Sequence, residues 1–514
     1  MGCHTNAVLR LEQGLIALVG VGSAAAACAT VWVVGELWIS RTGGNEADVT
    51  GPAVLAAVVA LTLSRRSFTS RQEFLRSVTV IPVIGLLAAG IGWLLISYPP
   101  LGAACYVVGM SVPIWLRRFG PEASRFGTLM TLPLTAVLIV PIAPPRGGSS
   151  PHPWASIVVL LCANVIAVLW AVLGRELLAA LRILPLQSAH PIPTSPNPQQ
   201  RSVPPSRPHS LRKLPASTRM ALQMAVAISV SFIVGWTVFP GHGMWVVLTA
   251  FIVNAGNRGR ADVLHKSVLR VAGAAGGTLL IVVTLRFLPH VGGNTINAFV
   301  ATVAIFTLLF IGTWLRNYSY AFWAMTVTVV LTILQEVDGR VTSITASGFL
   351  LERVLAIIVG GVIGMGAAWC VLPVRSIDVI RRRLADFLTA LSGVIGATVS
   401  EREHTFALFT ESLHRVDEVT PAQRARRIVT FTGVLGRDAP LPINALEAAQ
   451  SVGVALEDAL QRVPGDGTSW LPPEMEQPIG LAIRRARSSL ATPTKPERMQ
   501  ATFVALAAII GKIR

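Results

Sequence analysis

Arginines and glutamates set into apolar stretches are the residues of this chain best placed to do chemistry, because a charge in hydrocarbon is costly and is kept where it meets a partner or a ligand. Arg76 and Arg270 each open an apolar stretch after a basic loop, and His265 and Lys266 stand just before Arg270. Arg353 follows Glu352 at the start of the last apolar stretch. Adjacent helical residues face apart, so the two make a poor ion pair with each other. Arg353 would instead meet an anionic substrate or the acids Glu336 and Asp338. The chemistry these cations allow is capture of an anion; the plainer account is anchoring, with the long side chains reaching to the membrane interface. Glu36 and Glu352 are the two acids near a membrane interior, and they are the candidates for proton coupling, against a structural or interfacial role.

Aromatic and small residues accompany these charges. Trp245, Trp314 and Trp323 read as interfacial anchors, or as rings along a route where an aromatic substrate stacks while arginine holds its carboxylate. Asn254 would supply a hydrogen bond to substrate or cap its helix. Gly273 and Gly277, and Gly360 and Gly364, recur at helical spacing and read as faces for close helix packing, or as a path that a side chain would obstruct. Nothing in the sequence has the form of a phosphate-binding loop or dinucleotide fingerprint, and the nine histidines lie apart from one another. No catalytic residue, metal site or cofactor is therefore expected.

The elements that must position these residues follow from hydropathy. Of 514 residues, 52% are hydrophobic and 13% charged, where soluble domains carry about 25% charged residues; the mean hydropathy is +0.61. Apolar stretches fall at about 15–38, 51–63, 78–97, 101–116, 126–142 and 154–174, then at about 220–239, 243–255, 268–288, 296–313, 320–334 and 348–371. Counting each as a crossing places the basic loops on one side, which is the positive-inside pattern with both termini cytoplasmic. Trp115-Leu116-Arg117 and Trp314-Leu315-Arg316 then occupy equivalent places, and six spans per half gives two parallel repeats. The expected fold is an all-α polytopic membrane protein with about 12 spans: repeats at 11–174 and 220–373, a proline-rich linker at 175–219, and a helical cytoplasmic domain at 374–514. In that last part, Ile377, Ile380, Leu384, Phe387, Leu391 and Val394 keep helical period, and further helices are expected at about 403–416, 420–435, 442–460, 475–490 and 496–512. Docking under the membrane half, or holding a homodimer through the membrane or cytoplasmic part, would suit such a bundle. The net charge of +17 is spread over short loop runs, which speaks for topology and against nucleic acid. The five cysteines imply no disulfide framework.

The run Gly243-Met244-Trp245-Val246-Val247-Leu248-Thr249-Ala250, the basic loop to Arg270, then Gly273, the Gly276-Gly277-Thr278 segment, Trp314 and Glu352-Arg353 together resemble the fusaric-acid-resistance family, which includes aromatic carboxylic acid exporters. The likeness is clearest over about 215–373 and weaker over 10–180. It implies export of aromatic or other hydrophobic carboxylic acids across a bacterial inner membrane, driven by the proton gradient, with a small organic anion and membrane lipid as partners. Kinship with plant malate channels keeps an anion channel as an alternative, and a membrane scaffold without transport is a third. The short linker departs from exporters of this kind, which tend to carry a large soluble region between their membrane halves.

Overall fold

The computed structural model describes residues 2–42, 47–64, 71–139, 153–181, 214–256, 259–287, 295–316, 318–337, 347–372, 376–397, 402–431, 443–461, 473–491 and 496–512. Among the described residues every regular element is helical. The first group is α1 (Gly2–Thr42), α2 (Ala47–Ser64), α3 (Arg71–Ser97), α4 (Pro99–Leu116), α5 (Pro121–Ile139) and α6 (Pro153–Ala180). The second is α7 (Ala216–Val238), α8 (Gly243–Asn254), α9 (Arg260–Phe287), α10 (Thr295–Leu315), α11 (Tyr320–Val337) and α12 (Ser347–Cys370). The last is α13 (Ser376–Ile395), α14 (Arg402–Asp417), α15 (Thr420–Phe431), α16 (Ile443–Gln461), α17 (Pro473–Ala491) and α18 (Pro496–Ile510). The chain divides into one compact unit of residues 1–255 and 267–372 and another of 256–266 and 373–514.

The multi-pass membrane character stands, and the expected twelve spans in two six-helix repeats do not. Among the described residues six helices are long and apolar enough to cross a membrane: Gln13–Trp38, Pro99–Phe119, Leu161–Ala180, Ala216–Val238, Arg260–Val283 and Leu351–Cys370. In the other membrane-unit helices the apolar stretches among the described residues, such as Gly51–Ser64 in α2 and Gly243–Asn254 in α8, have 10–17 residues. At about 1.5 Å per residue these fall short of the roughly 30 Å hydrocarbon core. The long helices are also the first, fourth and sixth of one group but the first, third and sixth of the other, so the groups do not correspond helix for helix. Hydropathy had counted every apolar run as a crossing; buried helices that need no lipid-spanning length give the same signal.

Small residues set the packing of the membrane unit. In the α1, α2 and α6 cluster the buried positions are largely alanine: Ala27, Ala53, Ala56, Ala60, Ala163, Ala167 and Ala171. Without a strong hydrophobic drive between helices in lipid, such faces bring backbones close and gain dispersion contact instead. The helix α8 packs against both α7 and α12, and Trp245, Val246, Val247, Leu248, Thr249, Ala250, Phe251, Val253 and Asn254 are all buried. A helix apolar on every side belongs in an interior.

The C-terminal end of α12 is held from α7. Gln223 is buried and its Nε2 donates to the carbonyls of Val371 at 2.9 Å, Leu372 at 3.3 Å and Ala368 at 3.4 Å. These are last-turn carbonyls that no further helical N–H reaches, and Leu372 leaves the helix at φ 44°. Gln223→Leu is expected to cost about 1–2 kcal/mol by leaving them unpaired, read as earlier thermal unfolding of the purified protein in detergent.

The second unit has its own core. Leu384, Phe387, Leu391, Phe409, Leu446, Val452, Leu456, Ile483, Leu490, Phe503 and Leu506 are buried together, and Arg381 Nε of α13 donates to the Leu490 carbonyl of α17 at 2.7 Å.

Candidate functional site

Among the fully buried side chains of the described residues, Arg270 and Arg353 are the largest. Glycines put Arg270 there. A Cβ on Gly273 would lie 2.5 Å from the Ala321 carbonyl oxygen, and one on Gly277 would lie 2.8 Å from that of Met325, so α9 and α11 meet backbone to backbone next to the arginine. On α12 the same device works against α8. A Cβ on Gly360 would come 2.5 Å from the Val246 carbonyl oxygen, and one on Gly364 would come 2.9 Å from Asn254 Nδ2.

Arg353 is held on three sides. Its Nη1 donates to the Thr332 hydroxyl, its Nη2 donates to the Thr328 carbonyl at 3.0 Å, and its guanidinium lies 3.7 Å from the centroid of the Trp245 ring. A cation over an indole face is stabilised by about 0.5–2 kcal/mol, the upper end when desolvated. Its Nε is buried without a partner among the described residues. Arg270 is held less: it is 1% exposed, and its Nε and Nη2 have no hydrogen-bond partner among the described residues. Tyr320 of α11 lies within its electrostatic reach. Neither arginine pairs with an acidic side chain among the described residues.

The register of α9 and α12 gives the spacing of the two cations. Gly361 faces Ser267, whereas Arg353 bonds Thr328, the residue Gly277 packs against; the helices therefore run antiparallel. Arg270 stands about five residues from the level of Arg353, roughly 8 Å along the axis. The two charges act on each other, and like charges in an interior of low dielectric constant repel. An arginine keeps its proton when buried, so both positions stay cationic.

The other residues singled out in the sequence fall in several places. Trp245 is buried under Arg353 and serves it as a platform. Asn254 donates from Nδ2 to Ala250 O at 3.0 Å and Gly364 O at 3.3 Å, and its buried Oδ1 has no partner. His265 and Lys266 belong to the second compact unit, where Lys266 pairs with Asp262 at 2.8 Å. Trp314 is exposed and stacks on Phe310. Glu36 is exposed and accepts from Trp32 Nε1 at 2.6 Å. Arg76 lies in α3, and its side chain, like those of Glu336 and Asp338, is outside the described residues.

Three further residues went unread in the sequence. Thr328 and Thr332, four residues apart on α11, hold Arg353; that polar spacing in an apolar helix was their only signal. His242, in the turn before α8, is buried with its Nδ1 3.3 Å from Glu352 Oε2. Burial pushes the His242 imidazole below its ordinary range; Glu352 pulls it back up, and Arg353 adds to the lowering. Among the described residues no group of three or more His, Cys, Asp or Glu is placed to hold a metal ion.

Residues 225–367, the segment that carries Trp245, Arg270 and Arg353, match the family model described as fusaric acid resistance protein-like. The resemblance read from the sequence thus stands for that segment. No curated protein matches the chain at a significant level. The family match and the polytopic all-helical fold are consistent with a role in membrane transport.

Proposed function

We propose that the protein moves organic carboxylate anions, aromatic ones foremost, outward across a bacterial inner membrane, with Arg353 and Arg270 as successive stations for the carboxylate. The observation that carries this is the pair of fully buried guanidinium groups without an acidic partner among the described residues. Burying unpaired charge costs several kcal/mol, and a transiting anion is the group that offsets this cost. Two stations offset by roughly 8 Å along the helix axis let a carboxylate leave one cation as it nears the other. Neither then holds it so tightly that release becomes slow. The electrochemical gradients supply the drive: an inside-negative potential favours outward movement of an anion by about 2.3 kcal/mol per charge per 100 mV, and a proton gradient adds to it where protons are exchanged.

Reconstitution into proteoliposomes, with flux of benzoate and related aromatic carboxylates followed under an imposed potential, a pH gradient, both or neither, tests this. Saturable flux that either gradient accelerates is the expected result. Unsaturable current at far higher rates would identify an anion channel. Folded protein that passes no organic anion under any gradient would sink the proposal and leave a scaffold.

A further inference from the structure

His242 occupies a tight turn between α7 and α8. Its N–H donates to the Phe239 carbonyl at 3.0 Å, and its own carbonyl accepts from the Trp245 N–H at 2.9 Å. The turn therefore fixes the imidazole at the head of α8, and the side chain is only 4% exposed. Its Nδ1 faces Glu352 at 3.3 Å. The next residue of α12, Arg353, lies over the ring of Trp245, three residues beyond His242. Among the described residues, Glu352 and Arg353 act on His242 by their charge; the last turn of α7 and the first turn of α8 carry no charged residue.

We infer that His242 is a proton-sensing residue that sets how tightly the Arg353 station holds its anion. The inference rests on the anion-transport reading above, and concerns which residue makes that site respond to pH. Protonation places a second positive charge beside Arg353 and pairs the Glu352 carboxylate, which otherwise repels an arriving anion. Both effects strengthen anion binding on acidification. Coupling of this kind is reciprocal, so a bound carboxylate raises the proton affinity of His242 by the same factor. Because burial favours the neutral imidazole, the change falls on the acid side of the ordinary histidine range, about 6.5. Near neutral pH the turn is uncharged, and the station binds weakly.

The test uses the full chain in lipid nanodiscs, with benzoate as the probe, and measures binding from about pH 5 to 8, the interval in which histidine changes charge. For the unaltered protein, affinity is expected to rise about fivefold or more toward the acid end. His242→Gln should bind weakly and almost independently of pH, and His242→Lys should bind tightly across the interval. Glu352→Gln, which removes the group that stabilises the imidazolium, should move the midpoint to lower pH. That variant carries the test by itself where changes in the turn impair folding: an unmoved midpoint overturns the inference. A pH dependence of undiminished size in His242→Gln overturns it as well, while leaving the anion site standing. Benzoate binding that is absent from the folded, unaltered protein at every pH would remove the transport reading, and this inference with it.

Discussion

Replacing Arg270 by glutamine should lower benzoate affinity and flux by at least tenfold and leave the thermal stability of the protein unchanged or higher. A hydrogen bond to a charged group is worth about 1.5–3 kcal/mol, and every 1.4 kcal/mol is about tenfold in binding. The second half of the expectation separates function from architecture. An arginine that holds helices together destabilises the fold when removed. Arg270 has two buried nitrogens without partners and a second cation nearby, so its removal relieves strain, as at sites where stability is traded for activity. Arg270→Lys keeps the charge and loses the planar fork, and should fall between the two. Arg353→Gln should reduce binding and stability together, because Thr328 O, the Thr332 hydroxyl and the Trp245 ring each lose their contact with the guanidinium, which leaves only the Thr332 hydroxyl to Thr328 O bond at 2.8 Å between the two threonines. Unaltered benzoate flux in Arg270→Gln, or a marked drop in its melting temperature, would reduce Arg270 to a packing element.

Gly360→Leu should abolish folding of the membrane unit. Even its Cβ would lie 2.5 Å from the Val246 carbonyl oxygen and 3.0 Å from Thr249 Cβ, contacts that only displacement of α8 can relieve. Overpacking a close-packed interior costs about 1–3 kcal/mol where side chains can adjust; here the obstacle is backbone in a buried helix. The matching control is Gly366→Leu, since a Cβ there meets nothing within 4 Å. Size-exclusion profiles and melting curves of the two variants should differ sharply. If Gly360→Leu behaves like Gly366→Leu, the close approach of α8 and α12 is wrong.

How far the sequence led can be judged from these same residues. Arg270 and Arg353 stood out because a charge in an apolar run has few ordinary reasons to be there, and the glycine spacing of three and four residues marked the faces of α9 and α12. The helices from α13 to α18 lie where apolar period and flanking prolines put them. The number of crossings was not legible, since hydropathy reports what a segment avoids and not what it touches. The twelve residues of α8 avoid water by lying inside protein. His242 was equally hidden. A single histidine in a Pro-Gly-His-Gly turn gains meaning only when α12, over a hundred residues later, brings Glu352 to it.

The seam between α9 and α11 also has a mechanical meaning. With glycine at 273 and 277, α9 brings no side chain to these two contacts, so a shift of the two helices there would be a sliding of backbone on backbone, as a runner on a rail. Arg353 grips the same α11 through Thr328 and Thr332, and Tyr320 stands on it within reach of Arg270. A displacement of that helix would therefore act on the hold of the first guanidinium and on the field at the second together.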